Sequence, residues 1–528
     1  MKSYSHASSI RQLSYETIPK RLFRFALEDP EKVAFAYYDN KMQRTQITRR
    51  ELYESTEVFA KFLVGKGIKK GDRIALCVSN CVEWMAYDSG IMMAGGCSVR
   101  LWAGQADFLP MLEDCVAAVF DSDPAFYNKL LKVADIFENG NVVSETFPKL
   151  RLAINVSEIK SLRSTNCQTF NFPHMEPEDV TIIVQTSGST GKPKRVTHSS
   201  FDVINCAECY CDGAGITSND VVFNERYMGF GGSYPLSFIA TGCKYVSADM
   251  CSLNCPKDFQ KLKNLLTKES CNISSMIPAD LRLCTGDKPI LDLVMLAGDI
   301  PTYDAMKQGL SWTKTIDNFL STAETLMIAV KRFSKNNIGE YFPGLIGPLL
   351  PNVEAKIVDD HNDIVDIGKE GYLCARSRWC TKVSADGKSV LDNGWFKTRD
   401  ICKMTENKEI IMLGRDVDFI QKSARKISTK FVEQHVQRHP DVDCVVVVPI
   451  PDEEHELKVC ACVIMKTGKK FDEKSILKFC NEHMPQPSYF DYVTSTPDCI
   501  IQFDRFPKLG NGKVDRLSTK DLAINRLT

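Results

Sequence analysis

No stretch of this 528-residue chain approaches the ~18 consecutive apolar residues that a membrane-spanning helix requires. That absence argues against an integral membrane segment. Net charge is missing too: 66 basic residues against 67 acidic ones leave −1. Without a basic excess there is no electrostatic footprint for nucleic acid or for an anionic membrane as the main partner. The opening residues, MKSYSHASSIRQ, hold no apolar signal region, and the closing NRLT does not match the peroxisomal ending. A cytoplasmic location is the resulting expectation. Internal repeats and low-complexity tracts are absent. Paired metal-ligand spacing is absent as well. The 21 cysteines are scattered through apolar runs such as IALCV and VCACV, and Cys251 and Cys255 have no matching second pair. That pattern fits free thiols in a reducing compartment, not a disulfide framework or a zinc site.

What is present is an ordinary globular composition, 44% hydrophobic and 25% charged. The chain is too long for one ordinary core, so at least two domains are expected. Helical spacing runs from Thr48 to Gly67, with Leu52, Val58, Phe59, Phe62 and Leu63 on one face and Gly65 and Gly67 to end it. Gly71 and Asp72 introduce a β-rich run, RIALCVSN. A second amphipathic stretch, Val82 to Ala94, stops at Gly95-Gly96. This alternation implies α/β layers. The pattern changes near the end of the chain. VDCVVVV and LKVCACVIM flank a turn-like IPDEEHE, and Phe471 to His483 reads as a helix. These residues suggest a compact α+β domain of about a hundred residues, joined near Gly414 to Asp418.

The most informative segment is Thr186 to Val196, TSGSTGKPKRV. Thr186, Ser187, Ser189 and Thr190 supply hydroxyls. Gly188 and Gly191 allow close backbone approach, and Lys192 and Lys194 bring positive charge. Such a loop can wrap a polyphosphate. Just upstream, VTIIVQ reads as a buried strand. An ordinary Ser/Thr/Gly-rich surface loop with two solvated lysines has the same composition. The segment is not a Walker A loop: three residues separate Gly188 from Lys192, and Pro193 follows where that motif has Ser or Thr.

The segment resembles the phosphate-binding signature of the adenylate-forming superfamily, which includes acyl-CoA synthetases, coumarate–CoA ligases, luciferases and peptide-synthetase adenylation domains. Other motifs follow in that family's order. LSTAET, Leu320 to Thr325, resembles the segment whose glutamate helps to hold magnesium, the role this implies for Glu324. LAGDIP, with Gly298, resembles the turn beside adenine, and PGLIGP resembles a later turn. GWFKTRD, Gly394 to Asp400, resembles the ribose-binding motif; Asp400 would accept hydrogen bonds from both ribose hydroxyls. Gly414-Arg415 followed by Asp418 resembles the hinge motif, with Arg415 touching ribose or phosphate. FPKLGNGKVDR resembles the motif that carries the C-terminal catalytic lysine, here Lys513.

The resemblance implies a large multi-layer α/β N-terminal domain, residues 1–414, and a small α+β lid, residues 419–528, hinged near Asp418. It implies ATP-dependent activation of a small-molecule carboxylic acid with Mg2+, then transfer to CoA. Lys513, Glu324 and Arg415 would be catalytic. Several positions depart from the pattern: Arg195 and Arg399 replace glycines, Leu320 an aromatic, Ala323 a threonine and Ala424 a glycine. These departures leave open an adenylating enzyme that does not use CoA, or a non-catalytic member that still binds nucleotide. Met228 stands where many relatives carry histidine. A methionine there suits an apolar acyl group and equally suits core packing.

Overall fold

The computed structural model describes residues 1–9, 11–101, 108–121, 124–160, 171–186, 194–249, 259–284, 286, 288–416, 419–422, 425–452, 456–484, 496–508 and 514–527. The chain forms an α/β fold and divides into two compact units. One comprises Ser5–Ala355 with Ala375–Lys397, the other Met1–Tyr4, Lys356–Cys374 and Thr398–Thr528.

The larger unit holds two big sheets. In the first, Val180–Thr186, Cys97–Arg100, Arg73–Cys77, Cys115–Phe120 and Leu152–Asn155 run parallel, and Lys194–Ser199 adds an antiparallel edge. In the second, six parallel strands from Thr313–Thr322 to Val33–Tyr38 are flanked by antiparallel Leu326–Ser334 and Arg44–Thr48. Parallel strands need cover on both faces, which accounts for runs such as RIALC and LDLVML.

Helices fill the space between the sheets. Arg49–Gly65 begins in a capping box, in which Thr48 and Glu51 satisfy each other's backbone N–H groups. Leu52, Phe59 and Leu63 are buried as the spacing predicts, whereas Val58 and Phe62 are only half-buried. The helix packs on Val33–Tyr38 and Arg44–Thr48 and against Trp84–Met93, which itself rests on Arg73–Cys77 and Cys97–Arg100 of the other sheet. Trp84–Met93 is therefore enclosed over nearly its whole length: Trp84 to Met92 are all buried, and only Met93 at its end is partly exposed. The expected amphipathic helix is instead a central one. Its one charge, Asp88, is matched inside the core by Arg100 (Nη2 to Oδ2, 2.8 Å) and the Tyr234 hydroxyl (2.9 Å).

In the smaller unit, Val442–Asp452 pairs antiparallel with Glu456–Met465, which pairs parallel with Cys499–Gln502. Alternate residues serve two cores. Val445, Val447, Val459 and Ala461 face Val432 and Ile476 of helices Thr429–Val436 and Glu473–His483. Val446, Val448, Cys460 and Cys462 face Ala523 of helix Arg516–Leu527. Cover on both faces explains the unbroken VVVV run. Asp472 caps Glu473–His483 through Ser475 N–H. Among the described residues no helix is long and apolar enough to cross a membrane.

Candidate active site

In parallel sheets, ligands bind beyond the carboxyl ends of the strands, where helices and turns leave a crevice. The sequence candidates in the larger unit lie at such ends. Val180–Thr186 finishes at the first residue of the hydroxyl-rich segment, and Lys194 sits directly opposite Thr186 in the antiparallel register. Ser187, Gly188, Ser189, Thr190, Gly191 and Lys192 lie outside the described residues, as do Asp418, Ala424, Lys513, Cys251 and Cys255.

In the second sheet, Leu291–Leu296 runs directly into Ala297-Gly298. Gly298 has φ +111°, a conformation that a side chain would strain. The neighbouring strand, Thr313–Thr322, carries Leu320 and leads into Ala323 and Glu324. Leu320 is 4% exposed and packs inward. The Glu324 carboxylate makes no hydrogen bond or ion pair among the described residues, while its backbone carbonyl accepts from Thr381 N–H at 2.8 Å. Position and chemistry together leave its oxygens available to a hard cation. Magnesium takes most of its ligands from phosphate and water, so one protein carboxylate fits it.

A residue absent from the sequence reading joins this segment. His198, on Lys194–Ser199, donates from Nε2 to the Ala323 carbonyl at 2.6 Å. Next to it, the Thr381 hydroxyl donates to the Thr197 carbonyl, and the Thr197 hydroxyl donates to Val383 O at 2.6 Å. Strands from both sheets and the segment around Thr381 are thus tied together at the backbone of Ala323-Glu324. His198 is 2% exposed, and burial pushes its pKa down to about 4, so the ring is neutral. Its position two residues after Val196 was the available signal, but a lone histidine there has no partner spacing to announce it.

Arg195 turns to an ion cluster. It lies 3.2 Å from Asp114, which also meets Arg73 at 3.0 Å and Lys149 at 2.8 Å. The lysine contact, together with both arginines, holds the Asp114 carboxyl below its usual range. Met228 is 1% exposed. Its N–H donates to Asn80 Oδ1 at 2.9 Å, beside Tyr227, whose hydroxyl donates to the Leu101 carbonyl at 2.6 Å.

The smaller unit carries the other pair. Phe396–Met404 and Ile410–Arg415 are antiparallel neighbours, with Asp400 directly opposite Arg415. The Asp400 side chain is 2% exposed, whereas Arg415 is half exposed and places Nε 3.3 Å from Asp400 Oδ1. Thr398 accepts from Asp400 N–H at 3.1 Å and donates to Leu373 O, fixing the strand beneath the carboxylate. A buried carboxylate beside an arginine has two acceptor oxygens, a chemistry that suits a diol.

The sequence matches the AMP-binding enzyme family over residues 22–383, more than half of the chain, and the AMP-binding enzyme C-terminal domain over residues 432–513. The chain belongs to the AMP-binding enzyme family. A putative acyl-CoA synthetase, YngI, of Bacillus subtilis is 25% identical, covering 97% of this chain and 98% of that protein. A long-chain-fatty-acid–CoA ligase of Escherichia coli O157:H7 is 24% identical, covering 91% of each. Among solved structures, ATP-bound MatB from Rhodopseudomonas palustris superposes with a TM-score of 0.78 at 19% identity, covering 98% of this chain and all of that one. The family's large α/β domain followed by a small α+β domain is the architecture seen here.

Proposed function

We propose that this protein activates a carboxylic acid with ATP, forming an acyl-adenylate and pyrophosphate, and then passes the acyl group to CoA with release of AMP. The observation that carries the reading is the Asp400–Arg415 pair: a buried carboxylate for the ribose diol beside a half-exposed cation for phosphate, in an AMP-binding family chain. A substrate carboxylate oxygen attacks the α-phosphorus, and the bond to pyrophosphate breaks. Thr186, Ser187, Gly188, Ser189, Thr190, Gly191, Lys192 and Lys194 hold the outgoing phosphates. Gly298 lets the backbone pass close to adenine. Glu324 would hold magnesium, which when bound would neutralise charge on the phosphates. Lys513 bridges the substrate carboxylate and the α-phosphate as charge develops. A lid turning about Asp418 then presents a second orientation for the thioester step. Relatives named as acyl-CoA synthetase and fatty-acid–CoA ligase support CoA as acceptor and a fatty or otherwise apolar acid as substrate. The reaction would take place in the cytoplasm.

One observation favours a second reading. Ala323 offers no hydroxyl, and its carbonyl is already taken by His198. A chain that binds ATP without adenylating, or adenylates without CoA, fits that feature. A pyrophosphate-release screen over short, medium, long and aromatic acids, with and without CoA, separates the cases. The main proposal expects acid-dependent pyrophosphate, with acyl-CoA formed when CoA is added. Pyrophosphate without acyl-CoA supports adenylation alone. ATP binding with no pyrophosphate for any acid overturns the enzymatic reading.

A further inference from the structure

The larger unit carries a cavity at the opposite end of Val180–Thr186 from the candidate nucleotide site. Its volume is about 280 Å³, close to the lower end of small-molecule pockets, about 300–1,000 Å³. The walls are apolar: Phe23, Tyr53, Met92, Met93, Phe172 and Met175. Phe23 is 45% exposed and packs on Tyr53, with ring centroids 5.0 Å apart. Open apolar surface of this kind gains from an apolar occupant.

Three polar features belong to the lining. Thr181, the second residue of the strand, is 3% exposed, and its hydroxyl has no hydrogen-bond partner. A buried hydroxyl left unpaired is costly, and a ligand acceptor would relieve that cost. Lys20 also lines the cavity, and its ammonium makes no ion pair among the described residues. Thr17 and Pro19 place the cavity at the N-terminus of helix Ile18–Glu28, whose dipole favours negative charge. That helix end contributes its field alone. Ile18 N–H donates to Ser200, Lys20 N–H to the Thr17 hydroxyl and Arg21 N–H to Thr17 O. The imidazole of His174, another lining residue, is engaged by Glu176 at 2.8 Å.

We infer that this cavity binds a free fatty carboxylate, with its chain along the Phe23–Met93 wall and its head between Lys20 and the Thr181 hydroxyl. The site is separate from the one in which an acid would be activated, and it does not depend on the proposed reaction. Its signature is site-specific. With methyl-13C methionine in the full chain, sodium decanoate below its micelle concentration is expected to move the Met92, Met93 and Met175 signals saturably. Decyltrimethylammonium, of the same chain length and opposite charge, should leave them in place. Lys20→Gln, on an exposed side chain, should weaken the titration about five- to tenfold. Met93→Trp should fill the cavity and abolish it. The inference is overturned if those signals stay still while Met228 moves, or if Lys20→Gln binds as the parent does. It is equally overturned if the signals respond to phosphatidylglycerol vesicles and not to free decanoate, which would make the groove a membrane contact.

Discussion

His198 ties the strand after the hydroxyl-rich segment to the backbone that carries Glu324, and it does so as a neutral ring. Burial pushes its pKa from 6.5 to about 4. Between those values the unfolded imidazole takes a proton that the folded one refuses, so His198 alone makes stability fall as pH falls. Asp202, whose Oδ2 lies 3.9 Å from His198 Nδ1, acts in the opposite sense. Burial raises its carboxyl from 3.8 to about 6, so from pH 6 downward the folded state holds a proton that the unfolded state lacks. The two contributions offset in mild acid. Asp202→Asn removes one of them. Its urea midpoint should drop more steeply than the parent's between pH 7 and 5, by about 1 kcal/mol in stability. Parallel curves would contradict this assignment. Asp400 gives a second test at the same scale. Asp400→Ala should weaken ATP binding about tenfold or more in a calorimetric titration, as expected for the loss of hydrogen bonds to a charged acceptor, about 1.5–3 kcal/mol. Unchanged affinity would remove it from the nucleotide site. Glu324 and Asp400 stood out in the sequence as candidates because each lies in a motif with ordered neighbours. His198 was not, because its partner is a backbone carbonyl 125 residues away.

Helices and strands were legible where one face meets water. Arg49–Gly65 announced itself by its spacing and its Thr48 cap. Trp84–Met93 was placed correctly and misjudged in character, since sequence periodicity does not reveal a second sheet lying over a helix's polar residues. The Asp88–Arg100–Tyr234 cluster is the consequence: a polar group buried between layers had to bring its partners inside. The Arg100 guanidinium also lies 3.6 Å from the Tyr234 ring centroid. Removing one partner of such a pair strands the other charge, at about 3–5 kcal/mol. Arg100→Met should lose that much in chemical denaturation, and the double variant with Asp88→Leu should recover part of it. A loss below about 1 kcal/mol would mean that the pair is not held dry. In the smaller unit the VVVV run showed strand but not its two covers, because period-two alternation disappears when both faces are apolar.

At the scale of the whole chain, motif order carried more than any single motif. Composition excluded classes, but only the sequence of phosphate segment, LSTAET, GWFKTRD and the lysine-bearing end pointed to one family, and the family match spans both parts of the chain. The acid was not legible, because a binding pocket is assembled from residues far apart in sequence. The central claim is acid activation at the α-phosphate, and acid-dependent exchange of labelled pyrophosphate into ATP tests it most directly, since it needs no acceptor thiol. The account predicts exchange that requires an acid, proceeds without CoA and falls about 100-fold in Lys513→Ala, the scale of one preorganised charge at a transition state. No exchange with any acid, or equal exchange in Lys513→Ala, would contradict it.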